Sequence, residues 1–325
     1  MQLIDYLNPY AYAMLVRRKL YELGWLKSFH PGIPVISVGN LTMGGTGKSP
    51  LVLLIADYIE KKYGKRVAII SRGYKRRSKG FVLVRNGGSI LASVEESGDE
   101  AQMFAESSPN AIVIVDENRV HGATNAKLLG AEVIILDDGY QHLRLKRDLN
   151  ILLINSGSAS PVIPFGRSRE PRSAMRAADI ILSKDMNDLK DVGSNKVFAI
   201  LQGVPSALTS LSVVDVPFVE ISGKNVLALS SIANPERFHE MLRSLGAKVA
   251  IKDLGDHAEY SHDLVKSIIA IAKKNGAEVI VTTGKDIVKS RKYFQDSDVP
   301  VYVLRHKLEF LSGEKGFYDS IDKIL

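Results

Sequence analysis

The 325-residue chain contains no cysteine. Disulfides and thiolate-held metal sites are therefore excluded, and the absence fits a reducing compartment without proving one. No segment reaches the uninterrupted apolar length of a membrane span. The first residues lack the layout of a secretory signal, because their charges come after the apolar positions. Repeats and low-complexity tracts are missing too. No nucleic-acid recognition motif stands out, and no nucleic-acid partner is expected. What remains is ordinary globular composition, 45% hydrophobic and 24% charged, in a chain long enough for two α/β domains. The net charge of +7 suits an anionic partner such as a nucleotide or an anionic lipid.

The most informative stretch runs from Val35 to Ile55. A β-branched run enters Gly39-Asn-Leu-Thr-Met-Gly44-Gly45-Thr46-Gly47-Lys48-Ser49-Pro50, and an apolar helical run follows. Glycines allow consecutive N–H groups to turn toward one anion, and the following helix adds its positive end. Lys48 can then reach the β and γ phosphates of a nucleoside triphosphate, and the Ser49 hydroxyl can hold Mg²⁺. The strict pattern wants glycine where this chain has Thr42.

Apolar runs at 66–70, 111–115, 133–136, 150–154 and 180–182 alternate with helical stretches. This predicts an α/β fold with a doubly wound, mostly parallel sheet. Between 194 and 220 the pattern changes: 197–201 and 211–214 flank a Gly-Val-Pro turn, which predicts a two-stranded β connector. A second, smaller α/β lobe follows at 221–325, whose last helix is open to packing back on the first domain. The expected divisions are a helical segment at 1–28, a P-loop domain at 29–193, the connector and this lobe. In the first segment, Tyr10, Tyr12, Leu20, Leu23, Trp25 and Leu26 mix with Arg17, Arg18, Lys19 and Lys27. Such a helix suits a lipid headgroup boundary equally as well as packing on its own domain.

Asp137-Asp138-Gly139 follows a fully apolar strand, where the Mg²⁺-binding carboxylate of a P-loop protein belongs. The same tripeptide also suits a plain turn. Asp99 is placed to cap a helix, Arg169 to sit in a solvated loop or fork a phosphate, and Asp256-His257 to be structural.

These elements together resemble the tetraacyldisaccharide 4′-kinase family, which acts on lipid A precursors. The resemblance is carried by Val38 through Pro50, Ser71-Arg72-Gly73-Tyr74, Gly98-Asp99-Glu100 and Asp137-Asp138-Gly139-Tyr140-Gln141-His142. Arg147-Asp148, Arg169-Glu170-Pro171, Asp256-His257 and Thr282-Thr-Gly-Lys-Asp286 complete it. It implies transfer of a phosphoryl group from ATP, with Mg²⁺, to the 4′-hydroxyl of a tetraacylated disaccharide 1-phosphate. It also implies peripheral attachment at the cytoplasmic face of the bacterial inner membrane through the N-terminal segment. By resemblance, Gly44 through Ser49 hold the nucleotide, Ser49 and Asp137 the metal, and Lys48 and Asp138 act in catalysis. Asp99 with His257 matches the family's catalytic pair, drawn from opposite lobes. Arg72, Tyr74, Gln141, His142 and Arg169 fall on the substrate side.

Some positions depart from the family pattern. Leu254-Gly255 stands before Asp256-His257 where Phe-Pro is frequent, Val162 through Pro171 differs from the usual run, and Gly284 often aligns with Glu or Pro. The competing reading is a membrane-associated partitioning ATPase, whose loop normally carries Lys where this chain has Met43.

Overall fold

The computed structural model describes residues 7–43, 47–155, 160–189, 196–256 and 258–325. The chain forms two compact units, one of residues 1–202 and 308–325 and one of residues 203–307. Both are α/β.

In the first unit, α1 (Pro9–Glu22) precedes β1 (Val35–Asn40), α2 (Lys48–Tyr63), β2 (Val67–Ser71) and β3 (Val82–Asn86). Next come α3 (Val94–Ser97), α4 (Asp99–Ser107), β4 (Ile112–Val115), α5 (Arg119–Leu128) and β5 (Val133–Asp137). Strands β6 (Leu149–Leu153), β7 (Ile180–Ser183) and β8 (Val197–Ser210) follow. The strand order is β8-β7-β6-β1-β5-β2-β4-β3. Every pairing from β8 to β4 is parallel, and only the edge strand β3 runs antiparallel to its neighbour. Strands β1, β2, β4 and β5 are buried along their whole length, as a sheet covered on both faces requires. Strand β1 lies between β5 and β6, so the chain winds outward from it in both directions. The carboxyl end of β1 is thus the switch point where such sheets take ligands.

In the second unit, β9 (Asp215–Val216), β10 (Asn225–Ser230), α6 (Glu236–Ser244), β11 (Lys248–Asp253) and α7 (His262–Lys274) come first. Strand β12 (Val279–Thr283), α8 (Gly284–Ser290) and β13 (Val301–Ser312) follow, and α9 (Glu314–Asp322) lies back in the first unit. Strands β11-β10-β12-β13 are parallel neighbours.

The connector differs in detail from the expectation. Strand β8 is unbroken through Gly203-Val-Pro205, and its long sheet neighbour is β13, not residues 211–214. Proline's fixed φ is compatible with an extended strand, and its missing N–H matters only where a partner needs it.

Helix α9 packs on α2, with Tyr58 and Tyr318 stacked at 4.1 Å between ring centres. Tyr58, Lys62 and Tyr63 all hydrogen-bond Asp322 at 2.7 Å, which braces the helix that begins at Lys48.

Candidate active site

The site is built at the carboxyl end of β1. Gly39 is required there, because a Cβ would stand 2.5 Å from Tyr140 Cβ and 3.0 Å from its backbone nitrogen. The close approach brings the turn after β5 against β1. Register does the rest, since Val38 is paired with Asp137. Thr42 departs from the P-loop pattern for a visible reason. It bridges Ser168 antiparallel, with Met43 N–H donating to Arg167 O at 2.8 Å and Arg169 N–H to Leu41 O at 2.7 Å. An extended residue, not a glycine, is what this pairing needs, and the pairing delivers Arg169 to the site.

Arg169 grips Asp138 with both arms of its fork, Nη1 to Oδ2 at 2.7 Å and Nη2 to Oδ1 at 2.9 Å. Lys48 Nζ stands 3.3 Å from Asp138 Oδ1 and donates to Asn40 Oδ1 at 3.2 Å. Arg169 Nη2 also donates to Asn40 Oδ1. Burial alone would raise the Asp138 carboxyl, but the Arg169 hydrogen bonds and the Lys48 charge outweigh it and hold the group far below the usual carboxylate range. Asp138 has φ +54°, the left-handed region that Asp tolerates better than most residues. The strain sits where a carboxylate must be aimed at the lysine.

Asp137, almost fully buried, accepts from Ser71 Oγ at 3.1 Å. Ser49, the second residue of α2, donates to Glu100 at 3.3 Å. That bond brings the start of α4 to the start of α2, and Asp99 is the first residue of α4. Gly98, not Asp99, occupies the capping position; the buried Asp99 carboxylate accepts from Glu100 N–H at 2.9 Å. Gln141 donates to Asn40 O at 2.9 Å, and Arg17 donates to Gln141 O at 3.2 Å. Burial pushes the His142 imidazole down to about 4, and the charges of Arg119 and Arg147 add to the shift, so it is neutral near pH 7. Arg72 and Tyr74 are exposed just past β2, at the same edge of the sheet. Gly47 caps α2 with φ +87°. Gly44, Gly45, Thr46 and His257 lie outside the described residues.

Lys48, Ser49, Asp137, Asp138, Gln141 and Arg169 are thus brought together with Asn40, which sequence reasoning missed. Glu100 was quoted in a motif but given no role. Arg119 was missed outright; it is buried, with Nη2 3.4 Å from the Asp137 carbonyl. Lys184, just past β7, was also missed, although its Nζ lies 3.7 Å from where a Cβ on Gly47 would stand.

The family model described as LpxK: tetraacyldisaccharide-1-P 4′-kinase matches residues 7–325. The chain belongs to the tetraacyldisaccharide 4′-kinase family. A family member from Chlorobaculum tepidum is 37% identical over 307 residues, covering 90% of this chain and 85% of that protein. One from Aquifex aeolicus is 35% identical over 313 residues, covering 94% of each. A crystal structure described as the "apo" form of LpxK from Aquifex aeolicus in complex with ATP superposes with a TM-score of 0.82 at 33% identity. It covers 99% of this chain and 97% of that one. Membership in the 4′-kinase family makes the protein a phosphotransferase that acts on a lipid A precursor, and it removes the partitioning-ATPase reading.

Proposed function

We propose that the enzyme transfers the γ-phosphoryl group of ATP to the 4′-hydroxyl of a tetraacyldisaccharide 1-phosphate. The observation that carries the proposal is the Lys48–Asp138–Arg169 group around Asn40, set at the mouth of β1. Two cations meet one carboxylate there, beside the N-terminus of the 16-residue helix α2, which suits a polyanionic ligand. In phosphoryl transfer the protein mainly positions groups and stabilises charge on the moving phosphoryl. Lys48 and Arg169 are placed for that charge, and Asp138 keeps both aimed.

The donor set also suits Mg²⁺. Ser49 Oγ, Asp137 and Glu100 are hard oxygen donors, and Ser49 and Glu100 already touch. Among the described residues no cage of three or more acidic or histidine ligands is present. Such a site relies on nucleotide oxygens and water for the remaining positions. When bound, the ion would neutralise charge on the phosphates. Asp99 and His257 are read, on family resemblance, as the pair that handles the proton of the attacking hydroxyl.

Attachment to a membrane surface is part of the proposal. One face of α1 is anchored: Asn8 donates to Val162 O and Ile163 O, and Arg18 forms a buried 2.6 Å bridge to Glu170. Tyr12, Val16, Leu23 and Trp25 are exposed on or just beyond the helix, 46–77% accessible, with Lys19 among them. A helix docked by polar bonds that leaves aromatics and lysine outward suits a lipid headgroup layer. No helix among the described residues is long and apolar enough to cross a membrane.

The deciding experiment supplies γ-labelled ATP and the lipid disaccharide 1-phosphate in detergent micelles. Label should move to the lipid in a Mg²⁺-dependent way. Hydrolysis of ATP with no labelled lipid would sink the acceptor assignment.

A further inference from the structure

Asn40 is the last residue of β1 and is fully buried, its backbone in register with Leu153 of β6. A side chain in that place is fixed by the sheet rather than by the loops around it. Its Oδ1 accepts from Lys48 Nζ at 3.2 Å and from Arg169 Nη2. Its carbonyl oxygen accepts from Gln141 Nε2 at 2.9 Å and from Arg169 Nη2 at 3.4 Å. Its Nδ2 is equally buried and has no hydrogen-bond partner among the described residues. The side-chain amide is thus used through its oxygen alone. All of these groups belong to the first unit.

Two cations on one oxygen would ordinarily be met by a carboxylate, whose charge-assisted bonds are roughly twice as strong as neutral ones. Aspartate has the same shape as asparagine. It would grip Lys48 and Arg169 more firmly and would leave no buried N–H group unpaired. For the frame alone, aspartate is therefore the better residue at this position. What it would change is charge.

Lys48 and Arg169 bring two positive charges to the cluster and Asp138 brings one negative, which leaves a surplus of one positive charge. A carboxylate at position 40 would cancel that surplus. With it would go much of the attraction for the phosphates of ATP beside the N-terminus of α2. A neutral amide aims both cations without neutralising either. We propose that Asn40 is a positioning residue, which orients Lys48 and Arg169 while leaving their charge free for a triphosphate. The proposal rests on the reading of this edge as the seat of the ATP phosphates.

The test uses the full-length protein. It measures ATP binding in Mg²⁺ by calorimetry with no lipid present, then phosphoryl transfer to the lipid disaccharide 1-phosphate, with thermal unfolding as the check on folding. Asn40→Asp should unfold at or above the parent's midpoint, yet bind ATP about 10- to 100-fold more weakly. Asn40→Ala keeps the charge surplus and loses the aim. It should lower kcat by about 10- to 100-fold while ATP affinity changes by about threefold at most. Asn40→Asp combined with Asp138→Asn restores the surplus, so ATP affinity should return to within about fivefold of the parent. A purely structural role gives no such recovery. Unchanged ATP affinity in Asn40→Asp, a double variant as weak as the single one, or an undiminished kcat in Asn40→Ala would overturn the proposal. Lys48→Ala is the control on the site. Unchanged ATP affinity in that variant would remove the reading of this edge, and the proposal with it. Weakened binding in Lys48→Ala beside normal binding in Asn40→Asp would overturn the role of Asn40 alone. Should Asn40→Ala fail to fold, the isosteric Asn40→Asp and its double variant carry the test.

Discussion

The strands of the two units end in similar charges put to opposite uses. At the carboxyl edge of the first, Lys48, Asp138 and Arg169 meet with side chains 14%, 33% and 24% exposed. Around them Asn40 Nδ2, Gln141 Oε1 and His142 Nε2 are buried with no hydrogen-bond partner among the described residues. At the edge of the second, Asp286 is wholly buried and has four donors. An unsatisfied buried polar atom costs on the order of 1–3 kcal/mol, so native structures keep few without a reason. The first edge holds that cost open for a ligand to relieve, and the second has spent its polar groups on the frame. Proximity of charges therefore does not mark a site. Incomplete satisfaction with access to solvent does.

The comparison breaks if the open network proves to be a staple. Lys48→Ala should lower phosphoryl transfer by about 10²–10³. Its midpoint of thermal unfolding should match the parent or exceed it, since relieving a strained site commonly stabilises. A clear drop in the unfolding midpoint would class Lys48 with Asp286. Access to solvent, rather than membership of one unit, can be tested on Arg18–Glu170, a pair in the first unit with side chains 7% and 1% exposed, although Arg18 Nε and Glu170 Oε1 lack a hydrogen-bond partner among the described residues. Arg18→Ala should cost roughly 3–5 kcal/mol by stranding the Glu170 carboxylate, read by denaturant unfolding. Arg18→Met with Glu170→Leu should regain most of that, and failure to do so would show that the pair contributes net stability.

The open network also has a pH signature. The folded-state pKa of Asp138 lies below the unfolded value of about 3.9. Its contribution to stability is thus fully present above about pH 5 and is lost as the pH falls through the folded value. The stability gap between the parent and Asp138→Asn should be flat from about pH 7 to pH 5 and shrink below about pH 4. A gap that stays constant down to pH 3 would show that the carboxylate is not held by Arg169 and Lys48.

Much of this was legible in the sequence because it is local. All-apolar runs such as Val133 to Leu136 mark buried parallel strands, and Gly47-Lys48-Ser49 after such a run marks the anion-binding turn. Asp137 was legible as the residue that ends an apolar strand. Asn40 was not, because Asn after Gly reads as turn chemistry, whereas here it still belongs to β1 and its side chain receives both cations. Arg169 was legible only through resemblance. Its delivery depends on the pairing of 41–43 with 167–169, a contact across more than a hundred residues that no local pattern encodes. The β8–β13 neighbours were misassigned for the same reason, since proximity in sequence favoured 211–214.

The smallest expected effect concerns His142. Its imidazole is lowered to about 4, first by burial and then by the surrounding arginines, against an unfolded value near 6.5. Between those two values the unfolded chain binds more protons than the folded one, so stability falls as the pH drops through that window. Replacing the ring by an amide, His142→Gln, removes the titration and should flatten the slope. Allowing for partial exposure, the parent should lose roughly 1–2 kcal/mol relative to the variant on going from pH 7 to pH 4. Denaturant unfolding at several pH values reads this directly. Activity between about pH 6 and pH 8 should show no limb from His142, because the ring is already neutral there. Direct titration of the ring by NMR giving a value near 6.5 would place it in water, and His142 would then leave the group of buried unsatisfied atoms that sets the first edge apart from the second.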